Sequence, residues 1–211
     1  SDRFQALLEQ FEAESAQITE FNPVNNSLPL LEATPKNIDQ SSFLLPSSTE
    51  QLHPVDLSQI FEPLLNTAQA IATERNIELV NHLPAIIPSV VGDLAALREI
   101  FNNLLDNALK YTTSGGKVQL DLEMSREKML GIAVKNTGTG IPIEDQKRIF
   151  ERHYRGIQAQ GEIAGTGLGL AIAQELVTKM RGEIELISPN NLAENSSGTT
   201  FIVWLVISNQ S

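Results

Sequence analysis

The sequence predicts an α+β fold, a two-layer sandwich of helices and strands. Helical and strand patterns are mixed along the chain, without the strict alternation that a parallel α/β protein requires. No internal repeat is visible that would indicate a solenoid or a propeller. The 211 residues, 41% of them hydrophobic, are enough for one domain with a sizeable core and some additional segments.

The first 54 residues differ in composition from the rest. Residues 1–21 have apolar side chains at roughly helical spacing, which predicts an amphipathic helix: Phe4, Leu7, Leu8, Phe11 and Ile18. This helix either packs on its own domain or is the tail of an upstream dimerisation helix, and the pattern leaves both open. Residues 22–54 are rich in Pro, Asn, Ser and Thr without any period, which predicts a linker.

Residues 55–208 have the patterns of a folded domain. Helices are predicted from Asp56, which is the cap, to about Arg75, from Asp93 to about Thr112, from Glu144 to Arg152, and from Leu168 to Met180, with Gly182 at the end. Strands are predicted at 77–81, 118–123, 130–135, 183–187 and 199–207. Between the first strand and the second helix, Pro84 and Pro88 interrupt regular structure.

Composition narrows the possible functions. The formal net charge of -11 repels phosphate backbones, so we expect no nucleic-acid partner. The absence of cysteine excludes disulfides and thiolate metal sites. The longest apolar run, 201–207, has the length of a strand and is too short to span a bilayer. We expect a cytoplasmic fragment without direct membrane contact, cut from a protein whose anchor or sensor could lie upstream.

The first chemically informative segment is REIFNNLLDNALKYTTSGG, residues 98–116. At about 100° per residue, Asn103, Asn107 and Lys110 fall on one stripe of a helix, beside an apolar stripe that would face the core. This polar stripe could be ordinary solvated surface, but two asparagines four residues apart have poor helix propensity and need a reason. Their carbonyl oxygens suit Mg²⁺ balanced by substrate phosphates, and Lys110 adds a positive charge one turn on.

Two glycine-rich segments follow. VKNTGTGIP, residues 134–142, places Gly138 and Gly140 at the end of a strand, where they permit a close backbone approach by a ligand. GTGLGLAIAQEL, residues 165–176, leads three glycines into the start of a helix, which is an anion site. Taken alone, the segment 134–142 would be interpreted as an ordinary glycine turn, and the segment 165–176 as a loop with a flexible glycine-rich hinge. The second has the spacing of neither the dinucleotide fingerprint nor the P-loop.

In this order the segments resemble the histidine-kinase branch of the GHKL ATPase/kinase superfamily. Residues 98–112 are similar to its N box, 136–140 to its G1 box, 149–156 (IFERHYRG) to its F box and 165–170 to its G2 box. Gly198 and Thr199 match its final Gly-Thr. The resemblance covers about 56–207 and implies the Bergerat, GHKL-type ATP-binding fold. In that fold a mixed sheet is backed by helices, and ATP lies between helices and a mobile lid, here 155–164.

The resemblance also implies roles by position. Asn107 is the implied Mg²⁺ ligand, Asn103 is its neighbour, Lys110 reaches phosphate and Tyr111 lines the nucleotide pocket. The other implied nucleotide contacts come from the later boxes: Asn136, Gly138, Gly140, Ile141, Phe150 beside the lid, Gly165, Thr166, Gly167, Leu168, Gly169 and Thr199. The implied catalytic residues are Asn103, Lys110, Arg152 and Arg155. Of the two arginines, either Arg152 or Arg155 would approach the phosphates.

The sequence departs from the family pattern at two points. Asn136 stands where the family usually has the Asp that reads the adenine amine, and we expect weaker or less adenine-selective binding because a neutral amide lacks charge assistance. None of the three histidines, His53, His82 and His153, has the family's phosphoacceptor context. The implied partners are therefore an upstream histidine-containing dimerisation domain and a response regulator, in a parent protein that is a homodimer.

Two other functions remain possible at this point. A gyrase-like ATPase of the superfamily needs a general-base Glu one turn before the metal Asn, but that position is Asn103, and Glu99 lies a further turn away. A nucleotide-binding regulatory module, either a pseudokinase or an anti-sigma-like protein, is favoured only by Asn136. The intact Asn107, Lys110 and G2 glycines favour a protein histidine kinase that uses ATP and Mg²⁺.

Overall fold

A computed structural model of the protein describes residues 52–156, 165–190 and 198–208. The predicted helix over 1–21, nearly all of the predicted linker and residues 157–164 of the predicted lid lie outside the described residues. Helices and strands are labelled separately in chain order. They are β1 His53–Val55, α1 Ser58–Glu74, β2 Glu78–Asn81, β3 Val90–Gly92, α2 Leu94–Lys110, β4 Lys117–Glu123, β5 Met129–Asn136, α3 Ile143–Gln146, α4 Gly169–Lys179, β6 Glu183–Ile187 and β7 Thr199–Val206.

The main sheet has five strands in the order β2-β4-β5-β7-β6. β2 runs parallel to β4, and the other three neighbouring pairs are antiparallel, so the sheet is mixed. β4 and β5 form an antiparallel hairpin, with Val118 opposite Asn136. β1 and β3 form a separate two-stranded antiparallel sheet. The predicted α+β sandwich is confirmed. No helix in the described ranges is both long and apolar enough to cross a membrane.

The core lies between one face of the sheet and the helices α1, α2 and α4. Alternate residues of β5, Leu130, Ile132 and Val134, point into it and are buried, as the two-residue period of a strand requires. The apolar stripe predicted for α2 is buried as well, at Leu97, Ile100, Leu104 and Ala108. Phe101 of α2 packs on Phe61 of α1, with ring centroids 4.8 Å apart. This packing fixes how α2 is rotated, and with it the direction of the polar stripe.

Two strands were not predicted from the sequence. β1 and β3 have three residues each, and Pro54 lies in the middle of β1, so neither offers the alternation by which a strand is recognised. β1 also includes His53 and Pro54, which the sequence analysis assigned to the linker. The pairing of His53 with Gly92 spans the whole of α1 and is visible only in three dimensions.

Two helix ends also differ from the prediction. The helix predicted over 144–152 is the single turn α3, and the following residues form turns up to His153, whose φ is 63°. At the end of α4 the left-handed residue is Arg181, with φ 59°, and the N–H of Gly182 donates to the Val177 carbonyl. At the start of α1 the capping position is Leu57, without a side-chain cap, while the carboxylate of Asp56, the predicted cap, accepts from the Ser58 N–H at 2.9 Å.

A charged cluster lies on the sheet face that the helices leave uncovered. The Asp121 carboxylate of β4 accepts hydrogen bonds from His82 Nδ1 at 2.9 Å, Gln119 Nε2 at 2.8 Å and Lys135 Nζ at 2.9 Å. Burial raises the pKa of Asp121, but the three hydrogen bonds and the charge of Lys135 outweigh it and lower the pKa below its usual value. The ionised carboxylate therefore stabilises the fold at neutral pH.

We expect Asp121→Asn to lower the free energy of unfolding at pH 7 by about 1 kcal/mol, since Lys135 loses its closest anion. Because the folded pKa is depressed, this contribution is present above the unfolded pKa of about 3.9 and disappears as the pH falls through the folded value. Urea unfolding of both proteins at pH 7 and pH 3 checks it. The difference should shrink at pH 3, and Glu127→Gln, at an exposed position, should change neither measurement.

Candidate functional site

Residues from four distant parts of the sequence meet in one cleft beside the sheet. It lies among α2, the turn after β5, the chain after α3 and the start of α4. Most predicted site residues line it: Asn103, Asn107, Lys110, Tyr111, Asn136, Gly140, Ile141, Arg155, Gly165, Thr166, Gly167, Gly169 and Thr199. Other residues line the cleft without having been predicted as site residues: Asp106, Ala108, Thr139, Pro142, Asp145, Ile149, Tyr154, Gly156, Leu170 and Phe201.

The polar stripe of α2 forms one wall of the cleft. Asp93 caps this helix by accepting the Ala96 N–H at 2.7 Å, and the buried apolar stripe sets its rotation. Lys110 Nζ is 2.6 Å from the Asp106 carboxylate, one turn earlier, so the cation that faces the cleft is already partly neutralised. Asn103 Nδ2 donates to Glu99 Oε1 at 3.2 Å, which holds the asparagine carbonyl away from Glu99.

Asn107 is the residue of this wall that is best suited to a metal ion. Its side-chain amide is half-buried and makes no hydrogen bond within the described residues, so its carbonyl oxygen can serve as a ligand. Within 52–156, 165–190 and 198–208, no group of three or more His, Asp or Glu side chains could hold a metal. An ion here would thus need phosphate and water oxygens around Asn107, which is how Mg²⁺ is usually bound at nucleotide sites.

The turn after β5 forms the second wall. Asn136, the last residue of β5, lies opposite Thr199 of β7 and is 6% exposed. Its Nδ2 donates to Thr112 Oγ1 at 3.3 Å and to the Thr137 carbonyl at 3.0 Å. Among the described residues nothing donates to Asn136 Oδ1, although a buried carbonyl oxygen ordinarily has a partner. This oxygen therefore calls for a hydrogen-bond donor from a ligand.

Contacts from distant residues hold this turn in place. The Gly198 N–H donates to the Gly138 carbonyl at 2.9 Å, and Asn190 Nδ2 donates to the Asn136 carbonyl at 3.2 Å. The Ile141 N–H donates to Ser188 Oγ at 2.7 Å. The sequence analysis missed Ser188 and Asn190, because single polar residues at a strand end carry no periodic signal.

Gly138 has a packing role and does not line the cleft. A Cβ at this position would lie 2.7 Å from the Tyr111 carbonyl oxygen, closer than real Cβ atoms come. The glycine thus allows the turn to pack against the C-terminal end of α2, which brings the Asn136 side of the cleft next to the Tyr111 side.

The chain after α3 forms the base of the third wall. The Tyr154 hydroxyl donates to the Asp145 carboxylate at 2.6 Å, and the Arg148 guanidinium lies 4.2 Å from the centre of the Tyr154 ring. The hydrogen bond to Asp145, together with partial burial and the nearby negative charge, raises the pKa of Tyr154. The bond therefore ties the segment that leads into Arg155 and Gly156 to Asp145, another residue of the cleft.

The start of α4 closes the cleft opposite α2. Among the described residues no side chain caps this helix, so its first backbone N–H groups suit an anion, supported by the helix dipole. Gly167, with φ 70°, accepts the His153 N–H at 2.9 Å through its carbonyl. A Cβ on Gly169 would lie 3.0 Å from Asn103 Oδ1, so the uncapped end of α4 lies directly against the polar stripe of α2.

Three further predicted site residues do not line the cleft. Arg152 Nη2 instead bonds Glu175 of α4 at 2.6 Å, and hydrogen bonds from Arg152 and Lys179 lower the pKa of Glu175. Arg155 is therefore the arginine that the cleft retains. Phe150 packs edge-on against Phe201, a lining residue, with centroids 6.3 Å apart. Leu168 precedes the first turn of α4 and lies outside the lining set.

Known proteins with similar sequences are sensor kinases. The model of the histidine kinase-, DNA gyrase B-, and HSP90-like ATPase family matches residues 92–209. The sensor histidine kinase Hik2 of Synechocystis sp. is 42% identical over 214 residues, 97% of this chain and 48% of that protein. The adaptive-response sensory kinase SasA of Rippkaea orientalis is 36% identical over 132 residues, 63% of this chain and 34% of that protein. The chain thus spans between 34% and 58% of the length of three curated relatives that it matches.

Solved structures of similar fold are also histidine kinases. The mycobacterial sensor histidine kinase MprB aligns with a TM-score of 0.63 and 27% identity, covering 74% of this chain and 98% of that chain. Full-length ShkA, in a crystal structure with AMPPNP, aligns with a TM-score of 0.60 and 27% identity, covering 74% of this chain and 32% of that chain.

Proposed function

Because the chain belongs to the family of histidine kinase-, DNA gyrase B- and HSP90-like ATPases, we propose that its cleft binds Mg-ATP and presents the γ-phosphoryl group to a histidine of another domain. The chain is thus the ATP-binding catalytic domain of a sensor histidine kinase. The nucleotide in the ShkA structure, AMPPNP, is an ATP analogue and supports the same ligand class here.

The observation that carries this proposal is the contact between the uncapped start of α4 and the asparagine stripe of α2. Backbone N–H groups on one side and the Asn107 carbonyl on the other suit a phosphate chain with a bound Mg²⁺. The ion would neutralise charge on the transferred phosphoryl group. Asn107 would orient the ion, Arg155 and Lys110 would approach the phosphates, and the Asn136 carbonyl would accept from the base.

Phosphoryl transfer fits the cleft better than hydrolysis does. A dedicated hydrolase needs a base beside the attacking water, and Asn103 cannot take up a proton. Glu99 could, but it is exposed, bonded to Asn103 and outside the lining residues. The nucleophile is therefore a side chain supplied from elsewhere, which agrees with the sensor kinases among the relatives.

The acceptor histidine has to come from beyond the cleft. His53, His82 and His153 are exposed and do not line it. We infer that a histidine-containing dimerisation domain of a homodimeric parent protein supplies the nucleophile, and that a response regulator aspartate then receives the phosphoryl group. Since ATP is the donor, the reaction is expected in the cytoplasm.

Calorimetric titration of the 211-residue chain with ATP, with and without Mg²⁺, tests the binding step. We expect binding that strengthens with Mg²⁺. The chain is then mixed with γ-labelled ATP and a separately produced histidine-containing dimerisation domain of a related kinase. Label should appear on that domain in an acid-labile, alkali-stable form and should be absent when its histidine is replaced.

Other results would support other functions. Release of inorganic phosphate without labelling would favour an ATPase, and binding without either reaction would favour a regulatory nucleotide-binding module. If no nucleotide binds under any of these conditions, the proposed enzyme activity has to be abandoned.

A further inference from the structure

We propose that Thr112 is a positioning residue for base selectivity, which fixes the Asn136 amide so that a hydrogen-bond acceptor faces the nucleotide. The inference rests on the proposed function, because it concerns the base of the nucleotide held in the same cleft. Thr112 lies two residues after the end of α2, is 1% exposed and does not itself line the cleft. It would therefore act only through Asn136.

The hydroxyl of Thr112 can only accept from Asn136. Its oxygen is 2.6 Å from the Ala108 carbonyl oxygen, and because a carbonyl has no hydrogen to give, the hydroxyl proton must point there. Towards Asn136, 3.3 Å away, the hydroxyl presents only a lone pair. The Asn136 atom on this side is hence the amide nitrogen.

The Thr137 carbonyl imposes the same orientation from a second direction. It lies 3.0 Å from the Asn136 nitrogen and can only accept. Each hydrogen of the Asn136 amide therefore has one acceptor, either Thr112 Oγ1 or the Thr137 carbonyl oxygen. Together the two acceptors fix the plane of the amide and determine which side its nitrogen occupies. Turning the group over would place Oδ1 against the Thr137 carbonyl oxygen, and a Thr112 hydroxyl that donated to Oδ1 would lose its hydrogen bond to the Ala108 carbonyl.

As a consequence, the cleft presents an acceptor at Asn136. Oδ1 receives no hydrogen bond from any described residue, and the side chain is nearly buried. A base with an exocyclic amine can donate to this oxygen. A 6-oxo purine places a carbonyl oxygen there instead, which leaves two acceptors facing each other. The arrangement thus selects a 6-aminopurine nucleotide over a 6-oxopurine nucleotide.

The same network argues that Asn136 is not simply a weaker aspartate. An aspartate would keep an acceptor towards the cleft, but its second oxygen would face the Thr137 carbonyl at about the 3.0 Å of the present bond. For an isolated side chain, a carboxylate is the stronger acceptor. A carboxylate in this network lacks the two N–H groups with which Asn136 donates to Thr112 and Thr137. We therefore expect Asn136→Asp to lower the affinity for ADP.

The test compares ADP with IDP, which differ at the 6-position of the base, by calorimetric titration with Mg²⁺ on the whole 211-residue chain. We expect the unsubstituted chain to prefer ADP. In Thr112→Val, which keeps the shape but has no lone pair, the ADP-to-IDP affinity ratio should fall about threefold to tenfold, the value of one neutral hydrogen bond. Thr112→Ser keeps the hydroxyl and should keep the ratio.

The possible results separate the two proposals. Equal weakening of ADP and IDP in Thr112→Val, or an unchanged ratio, would overturn the positioning role and leave the nucleotide site in place. If the unsubstituted chain binds neither nucleotide, the proposed function and this inference both fail. Should Thr112→Val not fold, Thr112→Ala decides: a lower ADP-to-IDP affinity ratio supports the network, and an unchanged ratio overturns it.

Discussion

Asn107→Ala abolishes the Mg²⁺-dependent part of nucleotide binding, with an expected loss of at least about 100-fold in ATP affinity in the presence of Mg²⁺. The reason is geometric. Among the described residues the half-buried Asn107 amide has no hydrogen-bond partner, and no cluster of acidic or histidine side chains could replace it as a ligand. Binding without Mg²⁺ should change much less, because the α4 N-terminus and Asn136 remain.

Two variants control for changes unrelated to the metal. Asn102→Ala removes an asparagine from the exposed side of α2, outside the cleft, and has the same effect on helix propensity. It should bind Mg-ATP like the unsubstituted chain. Asn107→Asp keeps an oxygen ligand and should retain Mg²⁺ dependence. Titration calorimetry with and without Mg²⁺ on all four proteins, with thermal unfolding as a check on folding, gives the answer.

An equal loss with and without Mg²⁺ would mean that Asn107 contacts the nucleotide directly and that the ion is held elsewhere. An unchanged affinity would remove the polar stripe of α2 from the site altogether. In either case the resemblance in fold would stand, but the role assigned to Asn107 would not.

The parts of the site that could be predicted are those set by a repeating pattern. The direction of Asn103, Asn107 and Lys110 follows from helical periodicity. The apolar residues of the neighbouring stripe, which repeat every three or four positions, had to be buried, and this fixes where the polar stripe points. The glycines that precede α4 were recognisable because a backbone approach at a helix start requires them.

The parts that could not be predicted depend on single contacts between distant residues. Asn190 supports Asn136 across 54 positions, and nothing in the local sequence of either residue indicates the other. The direction of the Arg152 side chain could not be predicted for a related reason. The next residue, His153, has a left-handed φ of 63°, which is uncommon for a residue with a side chain and has no sequence signal. The partner of Arg152, Glu175 of α4, lies 23 positions further along the chain.

Gly167→Ala is expected to disrupt the site although it removes no functional group. Gly167 has φ 70°, a conformation that costs a residue with a Cβ roughly 1–2 kcal/mol. A Cβ there would also lie 2.8 Å from the His153 carbonyl carbon and 2.8 Å from the Tyr154 carbonyl oxygen. Both atoms belong to the backbone, so relief requires the chain beside Arg155 to shift away from α4.

The matched control is Gly165→Ala, two residues earlier in the same glycine-rich segment. A Cβ at Gly165 meets nothing within 4 Å among the described residues, and the backbone there is not left-handed. It should therefore leave both stability and binding nearly unchanged. For Gly167→Ala we expect a loss of at least about tenfold in ATP affinity, because misplacing positioning groups is costly. Titration calorimetry and urea unfolding measure the two effects separately.

The comparison of the two glycines distinguishes two explanations of the glycine-rich segment. If it served only as a flexible hinge, both substitutions would reduce flexibility alike and should have similar effects. If it is instead a fixed backbone cradle whose shape is set by the contact of Gly167 with His153, only Gly167→Ala should matter. The hydrogen bond from the His153 N–H to the Gly167 carbonyl, at 2.9 Å, favours the cradle, since a freely moving hinge would not keep this contact with the chain after α3.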